Sequence, residues 1–105
     1  VARVLAIVPD LMLASRVTEG LRGAGHDVVV AATLADPPEA DAIVCDLDVV
    51  DAAAVVEMGL PALGFYSHVD VETRRRAEAA GVDLVVPRSR MARELPQLVE
   101  GLLSD

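Results

Sequence analysis

The chain has 105 residues, the length of one domain and enough to bury a single core. Its formal charge is −8, and all 9 of its Lys and Arg positions are Arg. That balance disfavours nucleic-acid phosphates and anionic lipid as partners, and Phe65 and Tyr66 alone leave little surface for base stacking.

In chain order, Arg3 to Val8 (RVLAIV) reads as a short buried strand ended by Pro9. Asp10 then caps a helix from Leu11 to about Arg22, with Leu13, Ala14, Val17 and Leu21 near helical spacing. Gly23 and Gly25 stop that helix, and Asp27 to Ala32 forms a second β-branched strand. Thr33 to Asp41 carries Pro37 and Pro38 back to back, so any helix there is short or absent. Ala42 to Cys45 is the third strand, and Val49 to Met58 a weak Ala-rich helix ended by Gly59. Pro61 to Tyr66 is the fourth strand, Val69 to Ala80 a helix closed by Gly81, and Val82 to Val86 the fifth strand. The last segment, Ser89 to Leu103, has a helical pattern interrupted by Pro96. Since Pro suits a first helical turn, the main helix is expected to start near Leu95.

This alternation of strands with helical patterns argues for one α/β domain over residues 1–105, a doubly wound parallel sheet with helices on both faces. In such sheets function gathers at the carboxyl ends of the strands. There stand Pro9 and Asp10, then Asp46, Leu47 and Asp48, then Ser67 and His68, and finally Pro87, Arg88 and Ser89. If the first strand lies beside the third, Asp10 and Asp46 converge. Paired carboxylates of that kind can hold a hard cation such as Mg²⁺.

Order, spacing and these residues together resemble the receiver domain of two-component response regulators, a flavodoxin-like (CheY-like) fold with strand order 2-1-3-4-5. The resemblance covers essentially the whole chain. It implies that Asp46 is the phosphoacceptor position and that Asp10, Asp46 and the backbone carbonyl of Asp48 are the Mg²⁺ ligands. It makes Ser67 the hydroxyl switch, and it implies that Arg74, Arg75 and Arg76 lie on a helix of the usual partner and dimer face. Two departures mark a degenerate pocket: Pro9 replaces the first of the family's paired acids, and Val86 replaces its Lys before Pro87. Arg88, two residues on, is the one cation near that place. The implied role is an atypical stand-alone signalling module that acts by protein–protein interaction, with phosphorylation at Asp46 in doubt. Its partners would be a histidine kinase, a downstream target or a second copy of the chain. Nothing up to Asp105 reads as an output domain.

Other readings stay open beside this one. Asp46, Asp48 or Asp51 can cap the following helix, Asp10 can cap the first, and Ser67 can be a turn residue. The alternative function is a small-molecule-binding domain or subunit on the same scaffold, which would need a deep pocket at the strand ends. Gly20 to Gly25 (GLRGAG) imitates a phosphate loop in letters only, because it closes a helix rather than opening one. Gly-x-Ser-x-Gly is absent, and no enzymatic activity is expected. His26 and His68 lack metal-ligand spacing and read as exposed loop residues. Cys45 is alone and reads as a core residue in a reducing compartment. With no leader pattern and no apolar run near the ~20 residues of a membrane helix, a cytoplasmic location is expected.

Overall fold

Short runs of Val, Ile, Leu and Ala separated by turn residues form five parallel strands in the order β2-β1-β3-β4-β5. The computed structural model describes residues 2–33, 38–67 and 71–104. The elements are β1 (Arg3–Ile7), α1 (Leu11–Gly23), β2 (Asp27–Ala31), β3 (Ala42–Asp46) and α2 (Ala52–Glu57). Then follow β4 (Ala62–Tyr66), α3 (Val71–Ala80), β5 (Leu84–Pro87) and α4 (Arg88–Leu103). The order is the expected one, with β1 between β2 and β3, and Ile7 of β1 opposite Cys45 of β3.

Strand alternation divides the core into two layers. Val4, Ala6, Val44, Leu63, Phe65 and Val86 face α1 and α4, meeting Val17, Leu21, Met91 and Val99. Leu5, Ile7, Ile43 and Cys45 point the other way, where Val55 of α2 and Ala77 of α3 close over them. The central strands β3 and β4 are buried along their whole length, which is why they carry almost no polar side chains. Asp46 is the exception and marks the point where β3 emerges into the site. At the opposite end of the sheet, acids satisfy strand amides that have no ladder partner. Asp41 accepts from the Arg3 N–H at 2.8 Å, and Asp83 from the Ala62 N–H at 2.9 Å.

Between β2 and β3 no helix occurs among the described residues, in line with the paired prolines; Leu34 to Pro37 lie outside them. Two helix starts differ from the sequence reading. Helix α2 starts at Ala52 rather than Val49, because the Val49 and Val50 amides are drawn back onto the Asp46 carbonyl at 3.2 and 3.0 Å. Helix α4 runs unbroken from Arg88 through Pro96, not from Leu95. An interior proline costs ~3 kcal/mol. Met91, Leu95, Leu98 and Val99 fall on one buried face of α4, and each such burial contributes about 1.5–3 kcal/mol, so packing outweighs the local preference. His26 is also not the exposed loop residue expected: its Nδ1 accepts from the Ala2 N–H at 3.3 Å, and its Nε2 is buried without a partner among the described residues. His68 and the expected helix start at Val69 lie outside the described residues.

Gly64, in the middle of β4, is required by the residue that follows Asp46. The Leu47 side chain lies over it so closely that a Cβ at position 64 would meet Leu47 Cδ1 at 2.6 Å. Gly64→Ala is therefore expected to lower stability by roughly 1–3 kcal/mol through overpacking. In a urea-unfolding double-mutant cycle with Leu47→Ala, the double variant should lose clearly less than the sum of the two single losses; strict additivity would show that this contact does not set the choice of glycine.

Candidate functional site

The register of β1 against β3 brings Asp10 and Asp46 to the same end of the sheet, beside the ends of β4 and β5. Asp10 follows Pro9 at the start of α1, and its Oδ1 accepts from the amides of Met12 at 2.9 Å and Leu13 at 3.1 Å. It is thus the N-cap of α1, and it satisfies amides that a helix start leaves unpaired. Asp46 ends β3 at 8% exposure, the one buried charged residue among those described. Its Oδ1 accepts from the Asp48 N–H at 3.0 Å.

At Asp48 it is the carboxylate that is engaged. One oxygen, Oδ2, accepts from both the Ser67 N–H, at 2.8 Å, and the Ser67 hydroxyl. Asp48 therefore ties the turn after β3 to the end of β4 and engages the Ser67 hydroxyl at the strand ends. Asp51 is the N-cap of α2 by position but makes no side-chain cap bond. The place where the resemblance expects Lys is filled by Val86, 1% exposed and packed in the layer with Phe65 and Met91.

Burial dominates the electrostatics of Asp46 and pushes its carboxyl above the usual carboxylate range. The Asp48 N–H bond pulls it back and the Asp48 charge pushes it up; the Arg88 guanidinium lowers it and the Asp10 charge raises it by smaller amounts. Arg88 is thus within electrostatic reach of Asp46, while Asp10 is close enough to be felt as a repelling charge. Next to it, burial holds the Cys45 thiol at about 12, neutral and unreactive, as a core residue should be.

The cation ligands that the resemblance implies are the Asp10 and Asp46 side chains and the Asp48 backbone carbonyl. Pro9 supplies no ligand, and the acids that remain each spend an oxygen on a neighbouring amide or hydroxyl. Among the described residues no three His, Cys, Asp or Glu side chains come together as a metal site. Asp10, Asp46 and Asp48 stand together at the strand ends, each holding a neighbouring amide with one carboxylate oxygen.

The arginines of α3 do not form a single patch. Arg74 pairs with Glu78 one turn on, Nε to Oε1 at 3.3 Å, and Arg75 is exposed. Arg76 borders a groove of about 610 Å³ that also meets Asp48 and Asp51. Sequence reasoning missed two features. The Asp48–Ser67 tie was foreshadowed by the two-residue step from Asp46 to Asp48 out of β3. The cleft between α1 and α4 was foreshadowed by Arg16, which stands four residues after Met12 and three after Leu13 on α1.

The architecture is the receiver fold of response regulators. HP1043, described as an orphan response regulator of H. pylori, superposes with a TM-score of 0.78 at 20% identity, over 96% of this chain and 95% of that one. A CheY-like response regulator receiver domain from Methanospirillum hungatei JF-1 gives 0.84 at 18% identity, over 96% of this chain and 92% of that one. The ChxR receiver domain from Chlamydia trachomatis gives 0.74 at 18% identity, with 100% of each chain covered. No family model matches the chain, and comparison with curated proteins finds no match. At these identities the likeness is one of fold. No described helix is long and apolar enough to cross a membrane.

Because the folded state holds the Asp46 proton more tightly than the unfolded chain does, ionising Asp46 costs stability. Its contribution is fully present below the unfolded carboxyl pKa, ~4, and is lost as pH rises through the raised folded value. Asp46→Asn keeps an acceptor for the Asp48 N–H and removes the charge. The variant is expected to melt above wild type at pH 7, with the gap closing toward pH 4. An equal or lower melting temperature at pH 7 would contradict a destabilising charge at this position.

Proposed function

We propose that this chain is a non-enzymatic, receiver-like signalling module that acts by binding protein partners and works without an acyl phosphate on Asp46. The observation that carries this reading is the capture of the Ser67 hydroxyl by Asp48, which leaves the switch position already occupied. Two further features support it. Val86 fills the family's lysine position with a buried apolar side chain, removing a charge-assisted hydrogen bond of the sort that contributes about 1.5–3 kcal/mol. A phosphoryl group on Asp46 would exchange one carboxylate charge for about two phosphate charges beside Asp48 and Asp10, with Arg88 the cation felt there.

The receiver fold supports a protein partner, a kinase, a downstream target or a second copy, as the recipient of the signal. The surface proposed for that contact is the sheet edge at β5, flanked by α3 on one face and α4 on the other; α3 carries the exposed Arg74, Arg75 and Arg76. A guanidinium there suits an acidic or carboxylate-bearing partner surface. Mg²⁺ has no resident role in this reading, and the chain would be constitutively in one signalling state.

Intact-mass measurement after treatment with acetyl phosphate and added Mg²⁺ tests the proposal. Wild type and Asp46→Asn are both expected to keep their starting mass. The gain of one phosphoryl group by wild type alone would overturn the phosphate-independent reading and make Asp46 a working acceptor.

A further inference from the structure

A cleft of about 620 Å³ opens between the start of α1 and the start of α4, at the carboxyl end of the sheet. That size lies within the ~300–1,000 Å³ range of small-molecule sites. Met12, Leu13 and Tyr66 give it apolar walls, while Arg16 comes from one helix and Arg88 and Ser89 from the other. Met12, 78% exposed, forms an apolar lip beside the 85% exposed Leu11, so large hydrophobic groups stand in water where the cleft begins.

The charge pattern of this cleft runs against that of the molecule. The chain carries −8 overall, yet two guanidiniums border one cavity. Among the described residues neither Arg16 nor Arg88 has an ion-pair partner, whereas Arg74 and Arg90 are paired with Glu78 and Glu94. The acid that borders the cleft, Asp10, has one oxygen committed to the Met12 and Leu13 amides. Ser89 belongs to the first turn of the sixteen-residue α4, whose N-cap, Pro87, supplies no side-chain hydrogen bond. Serine hydroxyl and guanidinium forks are donors suited to a phosphate or carboxylate group.

We propose that this cleft binds a small organic oxyanion, with its phosphate or carboxylate end between Arg16 and Arg88 and an apolar, ring-sized body against Met12, Leu13 and Tyr66. The site lies beside Asp46 but uses neither its carboxylate nor a metal ion, so a ligand would inform the strand-end surface without phosphoryl transfer. It is independent of whether Asp46 accepts phosphate.

Calorimetric titration in EDTA, with amide chemical shifts followed in parallel, tests this with phenyl phosphate, benzoate, inorganic phosphate and the neutral benzyl alcohol. Phenyl phosphate or benzoate is expected to saturate and to move the Met12, Ser89 and Ala92 signals; which of the two binds more tightly identifies the oxyanion. Benzyl alcohol should bind at least about tenfold more weakly, and so should the better anion to Arg16→Gln/Arg88→Gln, by the loss of charge-assisted hydrogen bonds. Arg90→Gln, at an exposed paired arginine, should bind as wild type does, and Asp46→Asn should bind as tightly or more tightly. The proposal is overturned if neither aryl anion saturates at millimolar concentration, if benzyl alcohol binds equally, or if a folded double arginine variant keeps wild-type affinity.

Discussion

A carboxylate at the end of a fully buried strand has to find its hydrogen bonds in the turn that follows, and much of this molecule's functional end is arranged around that need. Asp46 is held by the Asp48 amide through its side chain and by the Val49 and Val50 amides through its carbonyl. That turn delays the start of α2, lays Leu47 over Gly64, and aims the Asp48 carboxylate at Ser67. The strand end, the missing side chain of Gly64 and the occupied hydroxyl are thus consequences of one placement. Burial then makes the charge on Asp46 unfavourable, and Arg88 offsets it only in part.

Where a receiver-like site would place a lysine on the last strand, Val86 is sealed into the α1–α4 layer. The cation instead appears two residues on, beyond Pro87, at the first position of α4. From there Arg88 reaches Asp46 electrostatically and also faces the cleft toward α1. The positive charge at this position borders an open cavity as well as acting on Asp46.

The sheet was legible because strand order and topology follow from alternating apolar runs and right-handed crossovers, and Arg3–Ile7, Ala42–Asp46 and Ala62–Tyr66 carry that signal with little competition. Boundaries were less legible where local and tertiary preferences conflict. Pro96 argued for a late start to α4, but a buried face running from Met91 to Val99 holds the helix together across it. His26 lies in a loop as read, but it is not fully exposed there, and its Nδ1 accepts from the Ala2 N–H. At the site, residue types and positions could be read, but not which oxygen serves which donor. The sequence allowed the Asp10 and Asp48 side chains to act as caps, and hydrogen bonding places Asp10 on the α1 amides and Asp48 on Ser67 instead of on α2.

The central physical claim is that Asp46 is a buried carboxylate whose charge is undercompensated. The direct measurement is a carbon-13 NMR titration of its carboxyl group in the folded protein. A midpoint above the ordinary carboxylate range of ~4 is expected. A midpoint at or below that range would mean that cations or hydrogen bonds over-compensate the burial, contradicting the destabilising charge at Asp46.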